Sequence, residues 1–107
     1  MTAASKDDTL LLVDPDVDFL EWATRHLAAE KLRILRCDSA QKAMKVVEKT
    51  EVGVVVAAMD MQPIGGIELL EHIQRTSSQT LVVLTAGFPT TGQIIEATQR
   101  GAHDVLR

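Results

Sequence analysis

The chain has 107 residues, enough for one domain, and its 46% hydrophobic and 24% charged residues are typical of a protein that folds. A formal net charge of −4 argues against nucleic-acid binding by this domain, and the single cysteine, Cys37, excludes an internal disulfide and a cysteine-based zinc site. No apolar run approaches the roughly 20 residues that span a bilayer, and the polar start is unlike a signal peptide, so we expect a cytoplasmic protein without membrane contact.

Strand-like and helix-like segments alternate along the chain after a polar leader at residues 1–8, which we expect to be flexible. Short apolar runs predict strands at 10–13, 32–35, 52–57, 81–84 and 105–106. Apolar stripes at helical spacing predict helices at 16–30, 40–49, 67–75 and 91–100. The runs at 10–13, 52–57 and 81–84 are continuous, which favours strands buried on both faces of a parallel sheet.

Residues suited to helix ends support these boundaries. Asp16 and Ser39 can each accept hydrogen bonds from the first turn of the helix that follows. Thr90 and Gln93 have the spacing of a capping box, and Gly101 falls where a left-handed residue commonly ends a helix.

Alternating strands and helices joined by right-handed crossovers predict a doubly wound α/β fold with helices on both faces of the sheet. Ligands of such folds bind beyond the carboxyl ends of the strands, where Asp14, Asp16, Ala58, Asp60 and Thr85 fall. No glycine-rich phosphate loop follows the first strand, which argues against a nucleotide-binding enzyme. No nucleophile–base pair stands out at these ends either, so we do not expect an enzyme.

Four segments in the right order and spacing resemble the receiver domain of bacterial response regulators, from about Thr9 to the end of the chain. They are Leu11-Leu12-Val13-Asp14, Met61 to Leu70, Val83-Leu84-Thr85-Ala86 and Gly101-Ala102-His103-Asp104. The resemblance implies a flavodoxin-like, five-stranded parallel sheet of strand order 2-1-3-4-5. It also implies two-component signalling, in which a sensor histidine kinase transfers a phosphoryl group to an aspartate that ends the third strand. Mg²⁺, held by that aspartate and an acidic pair after the first strand, offsets the developing charge.

This chain departs from the family pattern at the position that accepts the phosphoryl group. The family's Asp-x-x-Met-Pro-x-x-x-Gly pattern, counted back from Gly66, puts Met61 at the methionine and Ala58 at the phosphoacceptor. The second member of the acidic pair after Asp14 is replaced by Pro15. A natural degenerate receiver and an engineered Asp→Ala block would both explain Ala58. Because Pro15 also departs from the pattern, as does Gln62 at the proline, the natural explanation is favoured.

Three carboxylates, Asp14, Asp16 and Asp60, are predicted to form an acidic pocket beside Ala58. Asp14 and Asp60 are the weak candidate ligands for a metal. We expect no cofactor, or Mg²⁺ if one binds. Using Asp60 as the acceptor would shift the register and move the nucleophile off the strand end. The resemblance assigns a switch role to Thr85, at the family's hydroxyl position, and to Val105, at its aromatic position.

The resemblance also implies how the domain acts on partners. The family's usual lysine would fall at position 108, and its last helix would follow, so we expect the domain, residues 9–107, to stop before its final helix. We expect an output domain beyond residue 107 or a partner protein, with transcription control as a common output in the family. The candidate homodimer face consists of Ile94, Ile95, Thr98, Val105 and Leu106.

Three functional hypotheses therefore stand at this point. The first is a regulatory module that works through protein contacts and is not conventionally phosphorylated. The second is an ordinary, Mg²⁺-dependent receiver, phosphorylated on Asp60 or on an aspartate that an engineered Ala58 replaced. The third is a flavodoxin-like domain that binds a small anion or cofactor at the same strand ends.

Overall fold

A computed structural model of the chain describes residues 8–77, 79–87 and 90–106. The leader predicted at residues 1–8 lies outside this described part, apart from Asp8. Nine elements follow in the order β1 Thr9–Val13, α1 Val17–His26, β2 Arg33–Cys37, α2 Ala40–Lys49, β3 Val54–Ala58, α3 Gly66–Thr76, β4 Leu81–Thr85, α4 Thr91–Gln99 and β5 Asp104–Leu106.

All five strands run parallel in one sheet, in the order β2-β1-β3-β4-β5. The predicted α/β class, doubly wound topology and strand order are confirmed. Within the described residues, no helix is long and apolar enough to cross a membrane.

The predicted helix ends form the expected hydrogen bonds. The Asp16 carboxylate accepts from the Asp18 and Phe19 amides at 3.0 and 3.2 Å, and Ser39 Oγ accepts from the Lys42 amide at 3.3 Å. Thr90 and Gln93 exchange hydrogen bonds of 2.9 and 3.1 Å. Gly101 has a φ of +100°, a left-handed conformation that suits glycine.

The prediction for the first helix was too long. α1 ends at His26, and residues 27–30 form turns and bends instead of about one further helical turn. After Leu27 the residues Ala28, Ala29, Glu30 and Lys31 are all exposed, so no apolar contact stabilises a longer helix. The strands predicted at 32–35 and 52–57 lie one or two residues further along the chain, where β2 and β3 pair with β1.

The two faces of the sheet have separate apolar layers. On one face, α2, α3 and α4 pack against β1, β3 and β4, and Leu69, Leu70, Ile73 and Leu84 are fully buried there. On the other face, α1 buries Leu20 and Ala23 against Leu12 of β1. Three helices therefore cover one face, and α1 is the described helix on the other.

The expectation of burial on both faces is wrong for β4. Leu84 points toward α2, α3 and α4 and is 0% exposed, whereas Leu81, on the opposite face, is 48% exposed. β3 alternates in the same way between buried and half-buried residues. A continuous apolar run indicates which strands are central, but it does not show that both of their faces are covered.

Replacing Leu84 by Ala should lower the free energy of unfolding by about 2–5 kcal/mol, because the change leaves a cavity in a packed layer. Leu81→Ala on the same strand is the matched control and should cost about 1 kcal/mol or less, since that side chain already contacts water. Urea denaturation followed by circular dichroism measures both. Equal losses would contradict the asymmetry of the two faces.

Candidate functional site

The carboxyl ends of β1, β3, β4 and β5 border an open cleft of about 440 Å³. The order of the sheet brings these ends together, since β1, β3, β4 and β5 are successive neighbours in it. No Lys or Arg occurs among the described residues that line the cleft. These residues are Asp14, Phe19, Ala58, Asp60, Thr85, Ala86, Gly87 and Leu106.

Cross-strand register fixes the floor of the cleft. Ala58 pairs with Thr85, and Thr85 pairs with Leu106, so the three side chains point to the same face of the sheet. The Met59 amide donates to the Thr85 carbonyl at 2.7 Å, which continues the β3–β4 pairing one residue past Ala58. The half-buried methyl group of Ala58 therefore ends β3 beside the hydroxyl-bearing side chain of Thr85.

The loop after β1 separates two of the predicted pocket carboxylates. Asp14 lines the cleft, and its Oδ1 accepts from the Asp16 amide at 2.9 Å. Asp16 instead caps α1 and is absent from the lining. The predicted acidic pocket consequently has two members, Asp14 and Asp60.

Asp60 lies at the rim of the cleft. It is exposed, two residues beyond the end of β3, and it also lines the neighbouring groove between α3 and α4. Ala58, and not Asp60, therefore occupies the strand end.

The predicted switch and contact residues lie around β5 and α4. Val105 is half-buried and packs against the core under α2, α3 and α4, while Leu106, the next residue, lines the cleft and is 48% exposed. On α4, Ile94 is half-buried, Ile95 is 51% exposed, and exposed Thr98 donates to the Ile94 carbonyl at 2.9 Å. Thr85 and Leu106 thus meet at the cleft, and Val105 lies on the other face of β5.

A close backbone approach holds the loop between β3 and α3. The Gly66 amide donates to the Met59 carbonyl at 3.0 Å. A Cβ atom at Gly66 would lie 2.4 Å from the Ala58 carbonyl oxygen and 2.9 Å from Met59 Cα. Glycine is therefore needed here because the first turn of α3 lies directly on the end of β3.

Phe19, Ala86 and Gly87 line the cleft in addition to the predicted residues. Ala86 and Gly87 directly follow β4, so their positions follow from the rule on strand ends. In the sequence, Phe19 belongs to the apolar stripe of the helix predicted at 16–30, and nothing there marks it as a cleft residue. Phe19 follows the N-cap Asp16 by three residues, so it lies in the first turn of α1. Because this turn begins close to the carboxyl end of β1, its position could have located Phe19 near the cleft.

The donors present do not fit a Mg²⁺ site. Asp14 and Asp60 are the carboxylates of the cleft, Pro15 offers no side-chain donor, and Ala58 contributes a methyl group. No group of three or more His, Cys, Asp or Glu residues among those described could hold a metal ion. Mg²⁺ favours an octahedral shell of oxygen ligands, and two carboxylates beside a methyl group supply few of them.

Comparison with known proteins places these features in one family. The profile of the response regulator receiver domain matches residues 10–107. The transcriptional regulatory protein GlrR of Escherichia coli K12 is 25% identical over 97 residues, which cover 91% of this chain and 22% of GlrR. The chain thus spans less than a quarter of that relative.

Solved receiver structures share the fold. The signal receiver domain of a LuxO repressor protein from Vibrio parahaemolyticus superposes with a TM-score of 0.87 at 17% identity, covering 92% of this chain and 76% of that one. The beryllofluoride-activated NtrC4 receiver domain dimer gives a TM-score of 0.86 at 19% identity, covering 92% of this chain and 82% of that one.

Gly66→Ala should lower the free energy of unfolding by about 1–3 kcal/mol, because the new Cβ would collide with backbone atoms that cannot rotate away. Gly92→Ala in α4 is the control. The nearest heavy atom to its Cβ is Thr90 Oγ1 at 3.9 Å, so Ala should stabilise by about 0.4–1 kcal/mol. Thermal unfolding of the two variants checks the difference, and a harmless Gly66→Ala would refute the close approach.

Proposed function

The chain belongs to the response regulator receiver domain family, and we propose that it is a receiver-like regulatory module that is not conventionally phosphorylated. The observation that carries this proposal is the methyl group of Ala58 at the end of β3, where the cleft opens. A methyl group cannot form an acyl phosphate. Regulation by this module therefore depends on protein contacts.

The packing of Gly66 supports the register that assigns Ala58 to the acceptor position. In the family pattern the glycine follows the acceptor by eight residues, and Gly66 is the glycine that lies against the Ala58 carbonyl. A register that used Asp60 would put Ile67 and Glu68, both with side chains, near this tight contact. It would also place the acceptor at an exposed loop position.

The lining of the cleft beside Ala58 does not favour binding of a small anion. Its charged lining residues are Asp14 and Asp60, both acidic, and among the described lining residues there is no cation to offset a ligand's negative charge. This lining supports the regulatory module over the hypothesis of an anionic cofactor. Catalysis is not part of the proposal, since receivers regulate other proteins.

Protein contacts are proposed at the surface formed by α4 and β5. Ile95 is an exposed apolar residue of α4, with Ile94 and Thr98 on the same helix. β5 contributes Val105 on the face that α4 covers and exposed Leu106 on the opposite face, at the cleft. The NtrC4 receiver, which has the same fold, was solved as a dimer. We propose that this surface mediates homodimerisation or contact with a partner.

The wider role follows from relatives that are much longer than this chain. GlrR is a transcriptional regulatory protein, and we propose that this module likewise controls an output domain or partner protein, in the cytoplasm and in a two-component system. A sensor histidine kinase remains a candidate partner as a binding protein, not as a phosphoryl donor to Ala58.

Beryllofluoride with Mg²⁺, which mimics an acyl phosphate, should cause no specific shifts around residues 58 and 85 in the ¹H–¹⁵N spectrum of this chain. The reason is that Ala58 offers no carboxylate for the beryllium and that the donors do not fit Mg²⁺. Incubation with acetyl phosphate should also leave the intact mass unchanged.

If beryllofluoride does cause specific shifts, the Asp60→Asn variant separates phosphorylation on Asp60 from binding of a small anion elsewhere in the cleft. Shifts that disappear in this variant would show that Asp60 is the acceptor and would overturn the proposal. An unchanged response in Asp60→Asn would instead identify another anion-binding group in the cleft and support the third hypothesis.

Ile95→Glu should weaken self-association by about tenfold or more, because a charge would be buried in the proposed apolar contact. Sedimentation velocity over a range of protein concentrations measures this. Val17→Glu is the matched control, since Val17 is 60% exposed on α1 and should not affect the contact. A monomeric parent chain would exclude the homodimer, and equal effects of both changes would contradict the assignment of this surface.

A further inference from the structure

The overall charge of −4 conceals an uneven distribution along the chain. Six of the eleven Lys and Arg residues lie between residues 31 and 49, together with only two of the fifteen Asp and Glu residues. This segment, which forms β2 and α2, therefore has a net charge of +4 in an acidic protein. All six basic residues are exposed.

Three of these six basic residues lie on the outward surface of α2. Lys42, Lys45 and Lys49 follow one another at i, i+3 and i+7, so they form a single stripe along the helix. Ala43 and Val47 are buried on the opposite side of the helix. The lysines therefore point away from the sheet into solvent.

Arg33 adds a fourth exposed basic residue at the edge of the sheet. β2 is an edge strand, and exposed Arg33 is its first residue. Because α2 runs antiparallel to β2, Lys49 returns to the end of the sheet where Arg33 lies. We call Arg33, Lys42, Lys45 and Lys49 the basic ridge.

The two acidic residues of the segment neutralise little of the ridge. Asp38 binds Lys42 at 2.8 Å, and this hydrogen bond lowers the pKa of Asp38 and raises that of Lys42. Glu48 Oε1 instead lies 3.3 Å from His72 Nε2 on α3, and no ion pair joins it to a lysine of the described residues. Within the part of the chain that the structure describes, Arg33, Lys45 and Lys49 form no ion pair.

We propose that the basic ridge is a docking surface for a short acidic segment of a partner protein. Carboxylates repeated every three or four residues on a partner helix would match the spacing of the lysines on α2. The ridge has no role in the proposed acceptor-site function, so the two proposals can fail independently.

The charge elsewhere on the molecule favours a short peptide segment over nucleic acid or an anionic membrane. Thirteen of the fifteen acidic residues lie outside segment 31–49, against five basic ones. A long polyanion or a charged bilayer would come within the Debye length, about 8 Å at physiological salt, of this acidic surface and be repelled. A short segment with a few carboxylates can contact the basic ridge without approaching the acidic surface.

Titration of the ¹⁵N-labelled chain with a capped helical peptide carrying four glutamates, spaced three and four residues apart, tests the proposal. Amide shifts should be confined mainly to residues 31–49, and the affinity should fall as salt is raised. Lys45→Glu/Lys49→Glu should weaken binding about tenfold, since two attractive contacts become repulsive.

Arg25→Glu/Arg75→Glu is the matched control, because both residues are exposed on other helices and the variant has the same net charge as the ridge variant. The control should bind like the parent chain, and thermal melts should show that both variants fold. The proposal is overturned if the peptide does not bind or if both variants weaken its binding equally. It is also overturned if a 20-base-pair duplex or anionic phosphatidylserine vesicles bind the ridge more tightly than the peptide.

Discussion

The backbone ladder that joins β1, β3, β4 and β5 is the constraint on which the cleft depends. It places Ala58, Thr85 and Leu106 side by side, and the hydrogen bond from the Met59 amide to the Thr85 carbonyl continues the pairing past the strand end. Gly66 then folds the next loop back onto Ala58. The identity of residue 58 therefore decides the chemistry of the cleft, while the backbone around it keeps the geometry of a receiver.

The backbone geometry around the cleft and the side chains that line it affect different properties. Backbone pairing and the close approach of Gly66 stabilise the fold without needing a carboxylate at position 58. Phosphoryl transfer, by contrast, needs a nucleophile and cation ligands together, and the cleft offers Asp14 and Asp60 around a methyl group. A methyl group at position 58 is thus compatible with an intact fold and with the contact surface proposed on α4 and β5.

Local signals in the sequence predicted the elements well, and contacts between distant segments explain most of the rest. α2 and its cap at Ser39 follow from periodicity and a polar residue in the right place. The end of α1 depended on what packs after Leu27, and the exposure of Leu81 depended on which helices cover each face of the sheet. The positions of Ala58 and Gly66 came from the resemblance, whereas the contact between them required coordinates.

The strand order also determines how the two proposed surfaces relate to each other. The basic ridge lies on β2 and α2, and the apolar contact surface lies on β5 and α4, so the two occupy opposite edges of the same sheet. A partner on one edge leaves the other edge free. If both proposed surfaces bind, this separation would let the domain contact an acidic segment and a second protein at the same time.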